Sequence, residues 1–209
     1  KHIRLEPTFP RENKKIVFYK PQNLNYNSLK DSKVVKQLQA TCYEIVKHHT
    51  DKGESGIVLA PSFALTEGVA AALDVMGVKT RIFEHKRGEK LVDVLGRFKR
   101  NDGPGILLTP SGFEGLDLAG DLSRYQIILK APFGSLGEAR MKKILASWPD
   151  IYSLLTLMKI SQGAGRSVRG PEDYAVTYML DTNIQRLWTG KQNEWADEYK
   201  TTFSSILMD

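Results

Sequence analysis

The stretch "GILLTPSGFEGLD", residues 105–117, joins a short apolar run to a polar loop that contains glycine. The apolar run predicts a buried strand. Similar runs recur along the chain, with helical patterns between them. Continuously apolar strands that alternate with helices are typical of a parallel sheet covered by helices on both faces. We therefore predict an α/β fold with strands at 15–19, 55–62, 79–84, 104–110, 125–133 and 173–181.

The segments between these strands have apolar residues at helical spacing. This spacing predicts helices over 32–51, 63–77, 89–101, 137–148 and 150–162, and a final amphipathic helix over 193–207. In the final helix, Trp195, Tyr199 and Ile206 lie close to one face. We divide the chain into an entry segment (1–30), a main domain (31–188) and a C-terminal helix (189–209) that packs on or extends the domain.

Composition limits the class of protein. The chain has 209 residues, of which 41% are apolar and 26% charged, as in soluble globular proteins. No apolar run approaches the roughly 18 residues that span a bilayer, so we expect no membrane partner. The chain begins with Lys1 and has no signal-peptide pattern, so we expect a fragment of a longer intracellular protein. That protein would be cytoplasmic in a prokaryote or phage-infected cell, with a nuclear protein as the alternative.

Charge and cysteine content narrow the chemistry further. The formal net charge of +6 is compatible with a polyanionic partner such as nucleic acid. Cys42 is the one cysteine, so the chain has no internal disulfide and no cysteine-based metal cluster. Cys42 lies in a helical pattern, which favours a buried apolar role. We expect no metal site built by this chain alone.

A second polar stretch, "SQGAGRSVRG" at 161–170, contains three glycines and two arginines. A phosphate-binding P-loop would need glycine where Ile160 stands and lysine where Arg166 stands. The stretch therefore does not fit a P-loop. Arg166 and Arg169 are three residues apart, so in a helical turn they would point the same way and could bind a phosphoryl group together. The alternative is a pair of solvated surface arginines.

Polar residues also follow the predicted strands at 55–62, 104–110 and 173–181. In parallel α/β sheets, functional residues lie on loops beyond the carboxyl ends of the strands. We therefore expect a site that includes Ser62, the Thr109–Ser111 turn and the loop "DTN" at 181–183.

The ordered motifs resemble the C-terminal motor domain of superfamily-two helicases, and most closely the XPD/DinG branch. The resemblance covers roughly residues 7–188 and implies a RecA-like fold. One motif has the form "EG-x-D" followed by glycine, and an apolar strand ending in Pro-Phe comes next. A Gln-x-x-Gly-Arg-x-x-Arg motif then precedes an acidic residue that closes the following strand. These residues are Glu114, Gly115, Asp117 and Gly120, the strand "IILKAPF", Gln162, Gly165, Arg166, Arg169 and Asp181.

The resemblance implies a role for each of these segments. The arginine motif would face the γ-phosphate of ATP as the catalytic group, the "EG-x-D" segment would border the nucleotide, and hydroxyl residues would lie near the backbone of single-stranded DNA. ATP and Mg²⁺ would be held mainly by a first motor domain of the same polypeptide, because the chain contains no P-loop. The residues in these roles are Arg166, Arg169 and Gln162 (catalytic), Glu114, Gly115, Asp117 and Gly165 (nucleotide-binding), and Ser62, Thr109 and Ser111 (nucleic-acid-binding).

Simpler structural roles are the alternatives. Ser62 could cap the following helix, Thr109 and Ser111 could shape a turn, and Asp117 could structure its loop. Trp188 and Trp195 could stack on bases or belong to the core.

We expect part of an ATP-dependent DNA helicase, for example in DNA repair, with RNA as an alternative substrate. The competing functions are a non-enzymatic nucleic-acid-binding or scaffolding module and a nucleotide-dependent transferase.

Overall fold

The computed structural model describes residues 10–113, 116–164, 167–168 and 170–190. Its centre is a six-stranded, entirely parallel sheet with strand order β1-β6-β5-β2-β4-β3. The predicted α/β fold and all six predicted strands are confirmed. The strands are β1 (Lys14–Gln22), β2 (Gly56–Leu59), β3 (Arg81–Glu84), β4 (Gly105–Thr109), β5 (Tyr125–Ile128) and β6 (Ala175–Asp181).

Helices cover both faces of the sheet. Buried residues of α1 and α2 pack on one face, and buried residues of α3, α5 and α6 pack on the other. α4 packs against α5. The helices are α1 (Ser32–Thr50), α2 (Phe63–Val75), α3 (Leu91–Lys99), α4 (Ala139–Ser147), α5 (Pro149–Ala164) and α6 (Thr182–Gly190).

The predicted entry segment contributes to the sheet. β1 lies at one edge and pairs in parallel with β6, with Ile16 opposite Thr177 and Phe18 opposite Met179. Part of segment 1–30 is therefore an integral strand of the domain. The predicted C-terminal helix at 193–207 lies outside the described residues, so it stays a prediction.

Two larger differences from the sequence prediction involve Asp181. β5 ends at Ile128, although the apolar run continues to Phe133, because the Ala131 N–H is donated to the side chain of Asp181 (2.9 Å) rather than to a strand. The polar "DTN" segment does not form a loop but begins α6. Asp181 Oδ1 accepts the Asn183 N–H at 2.9 Å, which caps the new helix.

The core has the composition expected from the strand pattern. β2, β4 and β5 are fully buried along their length, so both of their faces are covered. Cys42 is buried in α1, which confirms its predicted role. Trp188 is buried in α6, which favours the core over base stacking for this residue. No helix in the described part of the chain is long and apolar enough to cross a bilayer.

Candidate functional site

Because all six strands are parallel, their carboxyl ends meet at one edge of the sheet. Ser62 lies just beyond β2 at this edge and is exposed. Its hydroxyl accepts the Leu65 N–H at 3.3 Å and so caps α2, as the structural alternative predicted. An exposed capping serine can still contact a ligand, so the two roles are compatible.

The turn after β4 is held by a buried hydrogen-bonded chain. The hydroxyl of Thr109 lies 2.9 Å from His85 Nδ1 and accepts the Ser111 N–H at 3.1 Å. His85 Nε2 lies 2.9 Å from the carbonyl oxygen of Glu89, which can only accept. In the neutral ring, Nε2 therefore carries the hydrogen and Nδ1 accepts from Thr109. Thr109 is fully buried, which favours the turn-shaping role for its side chain, whereas Ser111 is exposed.

Gly112 follows in a position where a side chain would force its neighbours to shift. A Cβ there would lie 2.5 Å from Cδ2 of Leu59 and 2.8 Å from Cγ2 of Thr109. The next residue, Phe113, packs under α5, where a Cβ on Gly163 would lie 3.1 Å from the Phe113 ring. This close approach brings the loop after β4 against the end of α5. Phe113, which directly precedes the EG-x-D motif, therefore lies against Gly163 of the arginine motif.

Of the residues predicted to border the nucleotide, Asp117 is described and is exposed. Glu114, Gly115 and Gly165 lie outside the described residues. Gln162, predicted to lie near the γ-phosphate, is exposed in the last turn of α5. Arg166 and Arg169 also lie outside the described residues, so their predicted role stays a prediction.

Two buried hydrogen bonds anchor the chain on either side of residues 165–166. Gln126 Nε2, in β5, donates to the Ala164 carbonyl oxygen at 2.6 Å. The hydroxyl oxygens of Ser123 and Ser167, which are fully buried, lie 2.6 Å apart. The segment between α5 and β6 is thus tied to the start of β5 at two points.

Sequence reasoning missed Gln126 and His85. Gln126 also donates to Thr177 Oγ1 at 2.9 Å and so links β5, β6 and α5. Gln126 is buried within the apolar strand β5, and His85 is buried directly after β3. A polar residue inside the apolar run "YQIIL" was the signal that could have identified Gln126.

Asp181 has a structural role at the same edge. Its fully buried carboxylate accepts N–H groups from Ala131, Asn183 and, at 3.3 Å, Leu24. Burial raises the pKa of the Asp181 carboxyl, and the donated N–H groups oppose that shift. Asp181 thereby joins the ends of β1, β5 and β6.

A cleft of about 270 Å³ opens where the loops after β2, β4 and β5 converge beside α5. It is lined by Pro61, Pro110, Ser111, Phe113, Pro132, Phe133 and Lys159. Phe133 stacks on Tyr152 of α5, with ring centroids 5.7 Å apart.

The outer face of α5, formed by Ile151, Leu154, Leu155 and Met158, is apolar but between 36% and 50% exposed. These residues recur at helical spacing on one side of the helix. The opposite side, with Tyr152, Leu157 and Ile160, is buried against the domain. An exposed apolar stripe of this kind is a candidate contact surface.

Within the described ranges, no group of three or more His, Cys, Asp or Glu side chains lies close enough to hold a metal ion. The structure therefore offers no candidate metal centre in the part of the chain that it describes.

Comparison with solved structures identifies the fold. An XPD helicase matches with a TM-score of 0.62 and 14% identity over 86% of this chain and 33% of that one. Xpd4 from S. tokodaii matches with a TM-score of 0.58 and 18% identity over 90% of this chain and 38% of that one. The helicase MrfA, solved bound to DNA, matches with a TM-score of 0.53 and 15% identity over 91% of this chain and 23% of that one. These matches confirm the RecA-like fold, and the chain spans 38% or less of the length of each structure.

Sequence comparison gives the family. No curated protein matches the chain. The model of the helicase C-terminal domain family matches residues 45–198, a range that includes the loop after β4, α5 and the arginine-rich stretch. The chain therefore belongs to the helicase C-terminal domain family.

Proposed function

We propose that this chain is the second motor domain of an ATP-dependent helicase that acts on single-stranded DNA. In this proposal, Arg166 and Arg169 reach the γ-phosphate of ATP from across a cleft between two motor domains. The observation that carries the proposal is a pair of buried hydrogen bonds, Gln126 to Ala164 and Ser123 with Ser167, which hold the chain on either side of residues 165 and 166. A group that stabilises a transition state is most effective when its position is fixed before the reaction.

The side-chain amide of Gln162, in the last turn of α5, can donate a hydrogen bond to a phosphoryl oxygen. Gln162 and Asp117 are both exposed, and the contact between Gly163 and Phe113 brings their segments together. ATP with Mg²⁺, held mainly by the first motor domain, supplies the phosphoryl group that is transferred to water. This chain would contribute guanidinium groups, which stay charged and bind phosphoryl oxygens through two parallel hydrogen bonds.

The outer face of α5 supports the presence of a first motor domain. Its exposed apolar side chains are removed from water only if another surface covers them. The chain spans 33% of the matched XPD helicase and 38% of Xpd4, so a second domain is the partner that we propose. α5 ends at Ala164, two residues before Arg166 in the sequence.

The carboxyl edge of the sheet supports a nucleic-acid contact. Ser62 and Ser111 are exposed at neighbouring strand ends, and short hydroxyl side chains suit contacts with phosphates that do not depend on base sequence. The net charge of +6 favours a polyanionic partner.

Substitution of the arginines tests the proposal. In the protein that carries both motor domains, we expect Arg166→Ala and Arg169→Ala each to lower ATP turnover by on the order of a thousandfold, while ATP binding largely persists. Arg140→Ala, at an exposed position of α4, is the matched control and should leave turnover unchanged. An equal loss of ATP binding and ATP turnover would instead mean that the arginines stabilise bound ATP and not the transition state.

The isolated chain provides a second test. Residues 1–209 alone should not hydrolyse ATP appreciably, because the arginines would only complete a site held by the first domain. Turnover by this chain at a rate typical of an intact motor would contradict the assignment of Arg166 and Arg169 as donors to a partner.

A further inference from the structure

We propose that the cleft between the loops after β2, β4 and β5 is a subsite for one phosphate of a single-stranded nucleic acid, with Lys159 as its cation. This inference rests on the proposed function, because it assumes that the domain binds nucleic acid. It adds a residue, Lys159, that lies on α5 and outside every motif recognised in the sequence.

The position and size of the cleft favour a single nucleotide unit. Ser111 and Phe133, which are separated in sequence, lie with Lys159 around one opening at the carboxyl edge of the sheet. Its volume of about 270 Å³ is smaller than the roughly 300–1,000 Å³ of typical small-molecule pockets. The cleft therefore fits a phosphate with part of its sugar better than a whole nucleoside triphosphate.

The lining supplies the groups that a phosphate needs. Lys159 is half-buried and brings a positive charge to the cleft. Within the described ranges it forms no ion pair. The Ser111 hydroxyl is exposed and can donate a hydrogen bond. Proline and phenylalanine form the remaining walls, so no carboxylate among the described lining residues opposes an anion.

The Ser111 side of the cleft is preorganised. The Ser111 N–H is donated to the Thr109 hydroxyl, which in turn is hydrogen-bonded to His85 Nδ1. The His85 ring is fixed in turn by the Glu89 carbonyl and by edge-on packing against Phe63, with ring centroids 5.2 Å apart. His85 and Thr109 are therefore positioning residues, since both side chains are buried and act through Ser111.

The role of the Lys159 charge is tested by the binding of residues 1–209 to a fluorescein-labelled oligothymidylate at several salt concentrations. Fluorescence anisotropy measures the binding. We expect Lys159→Gln to weaken binding about tenfold. The slope of log K against log salt should become shallower by about 0.7, the value for one phosphate contact on a single strand. Lys159→Arg should keep the slope. Lys143→Gln, at an exposed position of α4, is the matched control and should bind as the wild type does.

Two substitutions, Thr109→Val and Thr109→Ser, test Thr109 as a positioning residue. Valine removes the hydroxyl while keeping the shape, so binding should weaken roughly three- to tenfold with an unchanged salt slope. Amide hydrogen exchange at Ser111 should become faster, because its N–H loses its acceptor. Serine keeps the hydroxyl and should restore both properties.

The outcomes separate the subsite from the proposed function. If the wild-type chain does not bind the oligonucleotide, the proposed nucleic-acid role fails and the subsite fails with it. If the wild type binds but Lys159→Gln matches Lys143→Gln in affinity and slope, the subsite alone is overturned. If Lys159→Gln weakens binding of ATP but not of DNA, the phosphate belongs to a nucleotide, and the assignment to nucleic acid is overturned.

Discussion

Replacement of Gln126 by methionine tests whether β5 holds the arginine-rich stretch. Methionine has nearly the same length but cannot donate, so the Ala164 carbonyl and the Thr177 hydroxyl both lose a partner. Each orphaned buried group costs about 1–3 kcal/mol. Gln126 Oε1 is itself buried without a partner among the described residues, so its removal recovers the cost of one orphaned group. We therefore expect a net loss of about 1–3 kcal/mol in the free energy of unfolding.

Thermal unfolding measures this loss. A change of about 2 kcal/mol lowers the Tm of a chain of this size by roughly 4–8 °C. Gln185→Met, at an exposed position of α6, is the matched control and should leave the Tm nearly unchanged.

Hydrogen exchange measures the local effect of the same variant. Peptides that cover residues 161–170 should exchange faster in Gln126→Met than in the wild type, because the anchor at Ala164 is gone. If Gln126→Met is as stable as the wild type and exchange at 161–170 is unchanged, then β5 does not fix this stretch and the preorganisation argument fails.

Three further predictions concern the core. Burial lowers the pKa of His49 below its unfolded value of about 6.5, and the bonded Glu54 carboxylate only partly offsets that shift. Since the unfolded chain then binds the extra proton, the Tm should fall as the pH drops below about 6.5, and His49→Gln should flatten that dependence. Burial raises the pKa of the Cys42 thiol to about 12, so a thiol reagent should label it only after denaturation. Gly112→Ala should lower the free energy of unfolding by about 1–3 kcal/mol in urea, whereas Gly190→Ala, where a Cβ meets nothing within 4 Å, should not.

The fold could be predicted from sequence because its signals are local. The buried strands β2, β4 and β5 are mainly apolar, and the segments between them include stretches with apolar residues at helical spacing. The shortened β5 and helix α6, which the sequence analysis did not predict, could not be found in this way. Both depend on Asp181, whose carboxylate takes the Ala131 N–H from 50 residues away in sequence.

The candidate site could be predicted only in part, because several of its residues act through contacts that are distant in sequence. Ser62 and Ser111 follow strands, and a loop at a strand end is visible in the sequence. His85, Gln126 and Lys159 belong to no motif, and each matters through contacts that the folded chain creates. The bond between Gln126 and the Ala164 carbonyl spans 38 residues, so no local pattern could reveal it.

The two sides of α5 connect the proposed partner domain to the arginine-rich stretch. The inner side is fixed to the sheet through Leu157 and Ile160, and the helix end is fixed through Gln126. A first motor domain that packs on Met158 and the rest of the outer face would therefore move relative to the whole sheet, not relative to α5 alone. Closure of the two domains would then bring Arg166 to the phosphate as part of a rigid unit. On this argument, substitution of outer-face residues by lysine should weaken ATP turnover by the complete motor without changing the thermal stability of this domain.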